Sequence, residues 1–190
     1  MANRSDTACD VMLRAALPAD IPALRQLIVR SARGLNAGYY TPAEIEAALK
    51  HVFGVDSRLI ADGTYFVAEL GDTLAGCGGW SFRRTLYGGD QRPVGSSDRL
   101  DPRSDPARIR AFFIAPEAAR RGIGRRILER CEAAAREAGF TSFELMSTLP
   151  GVPFYAALGF VPVEEVSDAL PNGVVLRFVR MKRELLEPGT

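Results

Sequence analysis

Cysteine and histidine are scarce in this chain, with three cysteines and one histidine among 190 residues. Cys9, Cys77 and Cys131 are odd in number and stand at no metal-ligand spacing, so neither a disulfide framework nor a zinc site is indicated. Cys77 falls in an apolar strand-like run and Cys131 on the apolar side of a helix, where a thiol acts as a small reduced hydrophobe. An excess of one charge is also lacking. Twenty-four Lys and Arg against 23 Asp and Glu leave a net charge of +1, too little to mark nucleic acid or an anionic membrane surface as the partner. No apolar run approaches the length of a membrane span, and the opening Met1-Ala-Asn-Arg-Ser-Asp-Thr-Ala8 has no signal-peptide core, so the expected location is cytoplasmic.

What the chain does have is apolar residues, 47% of the total, enough for one sizeable core and a single domain over 1–190. The core is expected over 11–183, after a flexible start at 1–10. Val11–Ala15 reads as a first strand. Ala23, Leu24, Leu27 and Ile28 recur at helical spacing, and Thr41-Pro-Ala-Glu44 is a capping box opening a helix that carries Ile45, Ala48, Leu49 and Val52. Two β-prone runs, Thr64–Leu70 and Thr73–Ser81, flank Gly71-Asp72 as a hairpin. Gly76, Gly78 and Gly79 in the second run predict a bulge or a close backbone approach. Strands over 141–148, 160–166 and 174–181 and a short helix over 152–158 complete an α/β (α+β) alternation.

Residues 83–106 break this pattern with Gly88-Gly89, Pro93, Gly95, Pro102 and Pro106. Loops of that length inside a domain are usually functional or disordered.

The strongest local pattern is the strand Arg108-Ile-Arg-Ala-Phe-Phe-Ile-Ala-Pro116 running into Ala119-Arg-Arg-Gly-Ile-Gly-Arg-Arg126 and then into an amphipathic helix. That helix carries Ile123, Ile127, Leu128, Cys131 and Ala135 on one stripe and ends at Gly139. A strand, glycine turn and helix opening joined this closely gather backbone N–H groups at one point, with the positive end of the helix dipole behind them. The junction suits a phosphate or pyrophosphate. A P-loop would need Lys and Ser or Thr after the second glycine, where Arg125 and Arg126 stand, and the dinucleotide fingerprint would need glycine where Ile127 stands. Some thirty residues on comes Phe154-Tyr-Ala-Ala-Leu-Gly-Phe160.

Together these two segments resemble the GCN5-related N-acetyltransferase (GNAT) family, with Ala119 replacing the family's Gln or Arg. The resemblance implies a mixed, mostly antiparallel sheet of six to seven strands flanked by helices, and transfer of the acetyl group of acetyl-CoA to a primary amine. It implies that acetyl-CoA is held by the splayed strand at Phe112, Phe113 and Ile114 and by Ala119, Arg120, Arg121, Gly122, Ile123, Gly124 and Arg125. Thr148, where the family often has asparagine, is a further contact. Tyr155 matches the tyrosine that protonates the departing CoA thiolate; a phenol with a pKa of about 10 can donate to a thiolate whose acid has one near 8.5. No metal is called for. The base is unassigned among Glu144, Asp101, Asp105 and His51. Glu144, opposite Phe143 and Leu145, reads as exposed, and His51 as a solvated helix end. The resemblance also sets the loop 83–106 beside the acceptor site, where a lid is one reading and plain disorder the other. The acceptor, a small molecule or a peptide amine, and a homodimer are left open. The alternative in another class is a non-catalytic acyl-CoA-binding or sensor module.

Overall fold

Two of the five α-helices among the described residues begin where a side chain satisfies a first free amide. Glu44 N donates to Thr41 Oγ1 (3.2 Å) and Thr41 N to Glu44 Oε2 (2.7 Å), closing the expected capping box of α2 (Pro42–His51); such a cap contributes about 1 kcal/mol. The computed structural model describes residues 11–92 and 98–185. The expected flexible start at 1–10, Cys9, and loop positions 93–97 lie outside the described residues.

The sheet contains β1 (Val11–Ala15), β2 (Tyr65–Leu70), β3 (Thr73–Ser81), β4 (Ala107–Ile114), β5 (Ser142–Thr148), β6 (Val161–Ala169) and β7 (Val175–Glu184). Their order is β1-β2-β3-β4-β5-β7-β6, and every adjacent pair is antiparallel except β4 with β5. This is the mixed, mostly antiparallel sheet that the resemblance implied. Around it stand α1 (Ile21–Leu35), α2, α3 (Ser57–Ala61), α4 (Ile123–Glu137) and α5 (Val152–Ala156). Helices α1 and α4 both pack on β3 and β4 without a substantial contact between themselves, so they cover opposite faces. Leu24, Leu27 and Ile28 of α1 are buried, as are Ile123, Ile127, Leu128, Cys131 and Ala135 of α4, the stripe expected from periodicity. Cys77 and Cys131 are free and buried, and burial pushes the Cys77 thiol up to about 12. Helix α3 has no counterpart in the sequence reading, because five residues are too few to show a period; Asp56 caps it, accepting from Leu59 N (3.3 Å).

The β3 glycines mark both a close approach and a bulge. Cys77 pairs with Phe113 and Gly79 with Arg110, so Gly78 stands opposite two residues, Ala111 and Phe112. A Cβ on Gly78 would lie 2.5 Å from the Phe112 ring. Ala111 absorbs the extra residue at φ +54°, a conformation that a side chain disfavours. The buried Tyr65 hydroxyl holds the bulge by donating to the Ala111 carbonyl (3.2 Å), and lies 3.2 Å from Cys77 Sγ.

Candidate active site

Strands β4 and β5 are paired only at Ala107–Phe143, Arg108–Glu144 and Ile109–Leu145. Beyond Ile109, β4 continues on β3 alone and β5 on β7 alone as far as Thr148. The two strands therefore part like a wedge just after the bulge. A cavity of about 900 Å³ occupies the gap and borders Arg110–Ile114 on one side and Met146–Thr148 on the other. The backbone edge of β4 that β5 abandons is the kind of edge an extended ligand can pair with. One of its groups is already taken: the Ile114 amide donates to Ser31 Oγ of α1 (3.2 Å).

At one end the cavity meets the turn before α4. Arg120 (φ +61°) and Gly122 (φ +80°) are both left-handed, folding 119–122 tightly onto the helix start. Arg126 N is bonded back to Gly122 O (3.1 Å), and the amides of Ile123, Gly124 and Arg125 precede that first rung. Ala119, Arg120, Gly122, Ile123, Gly124 and Arg125 all border the cavity. Of the three arginines expected there, Arg120 and Arg125 line it, whereas Arg121 is exposed outside it. Phe154 lies over Gly124, where a Cβ would come within 3.0 Å of the ring.

Tyr155 is part of the cavity wall. Its ring meets Phe112, Phe154 and Phe160 edge-on, and burial pushes its phenol above the usual tyrosine value. Proline at its first turn and the tight corner at Gly151, where a Cβ would press on Ser147 Oγ at 2.8 Å, start α5 one 3-10 turn (Leu149–Gly151) after β5. Tyr40 fixes that corner: its hydroxyl donates to Arg177 O (2.6 Å) and accepts from Leu149 N (3.0 Å). Thr148 borders the cavity at the end of β5.

None of the four candidate bases lines the cavity. Glu144 is not exposed as the strand alternation suggested. It is buried among cations, ion-paired with Arg108, with Arg180 (3.0 Å) and with Lys182 (3.6 Å). Asp101 pairs with Arg103 (2.9 Å), which holds its carboxyl below the usual range. Asp105 accepts from Asp101 N (2.8 Å). His51 is half-buried rather than solvated, and its Nε2 is inaccessible and without a hydrogen bond.

The far end of the cavity uses residues that the sequence reading did not single out. Phe53, Leu86, Tyr87, Met146 and Phe178 line it, with Phe53 edge-on to Phe113 (5.8 Å) and Tyr87 tilted on Phe178 (5.6 Å). Arg110 lines the same region. It pairs with Asp56 at 2.7 Å, both side chains about 95% buried, and donates to Gly88 O (2.5 Å). Burial outweighs the attraction within this pair, pushing the Asp56 carboxyl up and the Arg110 guanidinium down. Residues 86–89 of the expected lid form a wall here, pinned by Gly89 N to Val52 O (2.9 Å), Asp90 N to Val55 O (2.9 Å) and the ion pair Arg92–Asp168 (2.6 Å). These side chains come from segments up to about 125 residues apart, which no local motif could join. Among the described residues no helix is long and apolar enough to cross a membrane.

The same architecture recurs in solved structures. A GCN5-related N-acetyltransferase from Rhodopseudomonas palustris superposes with a TM-score of 0.66 at 20% identity, over 92% of this chain and 95% of that one. PaiA N-acetyltransferase from Thermoplasma acidophilum, in complex with coenzyme A, gives 0.63 at 15% identity, over 92% and 99%. YncA from Salmonella typhimurium, with its cofactor acetyl-CoA, gives 0.61 at 16% identity, over 95% and 96%. At these identities the likeness speaks for the fold alone. Comparison with curated protein sequences gives no significant match. The sequence profile of the acetyltransferase (GNAT) family matches residues 25–160, spanning β2 to β5, the glycine turn and the segment of Tyr155, and the chain therefore belongs to that family.

Proposed function

We propose that this protein is an acetyl-CoA-dependent N-acetyltransferase acting on a primary amine by direct attack on the thioester. The observation that carries this reading is the wedge between β4 and β5, which opens at its edge onto the glycine turn and contains Tyr155 in its wall. The donor's diphosphate matches the amides of Ile123, Gly124 and Arg125, the positive helix end and the guanidinium groups of Arg120 and Arg125. Its extended arm matches the free edge at Phe112 and Phe113, with Thr148 across the gap. The solved structures holding coenzyme A and acetyl-CoA share this fold.

Acetyl transfer needs a nucleophilic neutral amine, amide donors for the developing oxyanion and a proton for the leaving thiolate. Tyr155 supplies that proton. Burial keeps its phenol protonated across the neutral range, so the hydroxyl is available to donate to the sulfur as negative charge develops on it and the C–S bond breaks.

The experiment is thiol release from acetyl-CoA with a panel of primary amines, followed together with direct CoA binding. Amine-dependent release with an N-acetylated product is the expected result. Tight CoA binding without release for any amine would mark a binding or sensor module instead.

A further inference from the structure

We infer that the acceptor is a small amine of low basicity carried on an aromatic or similarly apolar body; this rests on the acetyltransferase reading above. The acceptor end of the cavity is walled by Phe53, Leu86, Tyr87, Met146 and Phe178. The rings are fixed in place: Tyr87 leans on Phe178 while Arg92, itself tied to Asp168, covers it at 4.6 Å. Phe53 is braced against Phe113 on the bulged strand. Such walls reward a flat or branched apolar body over a chain of separated charges.

The electrostatics select the nitrogen. Among the described residues the charged side chains lining the cavity are Arg110, Arg120 and Arg125, all of them cationic, and none is a carboxylate or an imidazole. The carboxylates beside this end are both taken: Asp56 is turned to Arg110 and to the start of α3, and Asp168, against Tyr87, is paired with Arg92. With Arg120 and Arg125 turned to the diphosphate and Arg110 paired with Asp56, an ammonium entering the acceptor end meets desolvation with no lining carboxylate to offset it, which favours its neutral form. The amine is thus admitted already unprotonated. At pH 7 a nitrogen with a pKa of about 8 is neutral in roughly one molecule in ten, and one with a pKa of about 10.4 in roughly one in 2,500. That difference of about 250-fold falls directly on the concentration of nucleophile.

Four probes separate body from basicity. Phenylalanine amide has an apolar body and a weakly basic nitrogen. Alanine amide keeps the nitrogen and loses the body, 3-phenylpropylamine keeps a similar body with a strongly basic nitrogen, and spermidine has neither feature. Steady-state thiol release at pH 7 should give phenylalanine amide a kcat/KM at least roughly tenfold above each of the others, and 3-phenylpropylamine should gain about tenfold per pH unit toward pH 9. Met146→Glu places a carboxylate in the wall; it should lower the rate with phenylalanine amide and raise that with spermidine, CoA affinity being measured alongside to show an intact fold. Release led by spermidine or by alanine amide would overturn this inference and leave the enzyme reading standing. No release with any of the four, in a protein that binds CoA, would remove the enzyme reading for this class of acceptor and the inference with it.

Discussion

Tyr155 combines an enclosed ring with a place on the cavity wall, and those two facts pull a substitution in different directions. Removing only the hydroxyl leaves the ring contacts with Phe112, Phe154 and Phe160 in place. Tyr155→Phe should therefore keep the fold and the CoA affinity while turnover falls by roughly 10²- to 10⁴-fold, the usual range for a lost general acid. Isothermal titration with CoA and steady-state rates on the same preparations check this; a variant that turns over normally, with chemistry shown to limit the rate, would return Tyr155 to a packing role. This residue was legible because it sits in a compact motif, as were Gly122 and Gly124. Phe53, Met146 and Phe178 were not, since an apolar residue in a strand or at a helix end looks the same whether it faces a core or a cavity. Glu144 shows the opposite failure. Its alternation with Phe143 and Leu145 was read correctly, but the face it points to is covered by Arg108, Arg180 and Lys182, and cross-strand neighbours are set by register, which a single strand does not state.

At the scale of elements, α1, α2, α4 and the hairpin followed from periodicity and caps, whereas α3 and the bulge did not. The bulge exists only as a relation between β3 and β4, and the glycines at 76, 78 and 79 were its one visible trace. Its flank is tied to α3 by the buried pair Asp56–Arg110. Because burial pushes both groups toward neutrality, the pair costs free energy to bury yet is costly to break. Asp56→Ala and Arg110→Ala should each destabilise the fold by about 3–5 kcal/mol, since each leaves the other charge buried and uncompensated. The double variant should lose markedly less than the sum, by at least about 1 kcal/mol. Urea unfolding of the four proteins closes this cycle; additive losses would mean that the two groups do not depend on each other.

Across the whole molecule, the single parallel pairing in an otherwise antiparallel sheet decides where the cavity opens. Two strands joined for three rows and then drawn to different neighbours leave a slot in the middle of the sheet, open to both covered faces. One end receives the start of α4, and the other is closed by residues 52–54 just after α2, residues 86–89 and β7. Sequence order alone indicated strands and helices in alternation; the slot depends on the long-range order β4-β5-β7-β6 and came into the sequence reading only through the family resemblance.

The central claim is that the turn before α4 holds the diphosphate of CoA in this slot. Gly124 is its most exacting point, because a side chain there would press on Phe154 at 3.0 Å and, in Gly124→Asp, would set a negative charge against the bound anion at a helix start. Isothermal titration of CoA into the wild-type protein and into Gly124→Asp, with far-UV circular dichroism to show that the variant is folded, tests it most directly. One-to-one micromolar binding by the wild type and no measurable heat with the folded variant is the predicted result; equal affinity in the two proteins would contradict the claim.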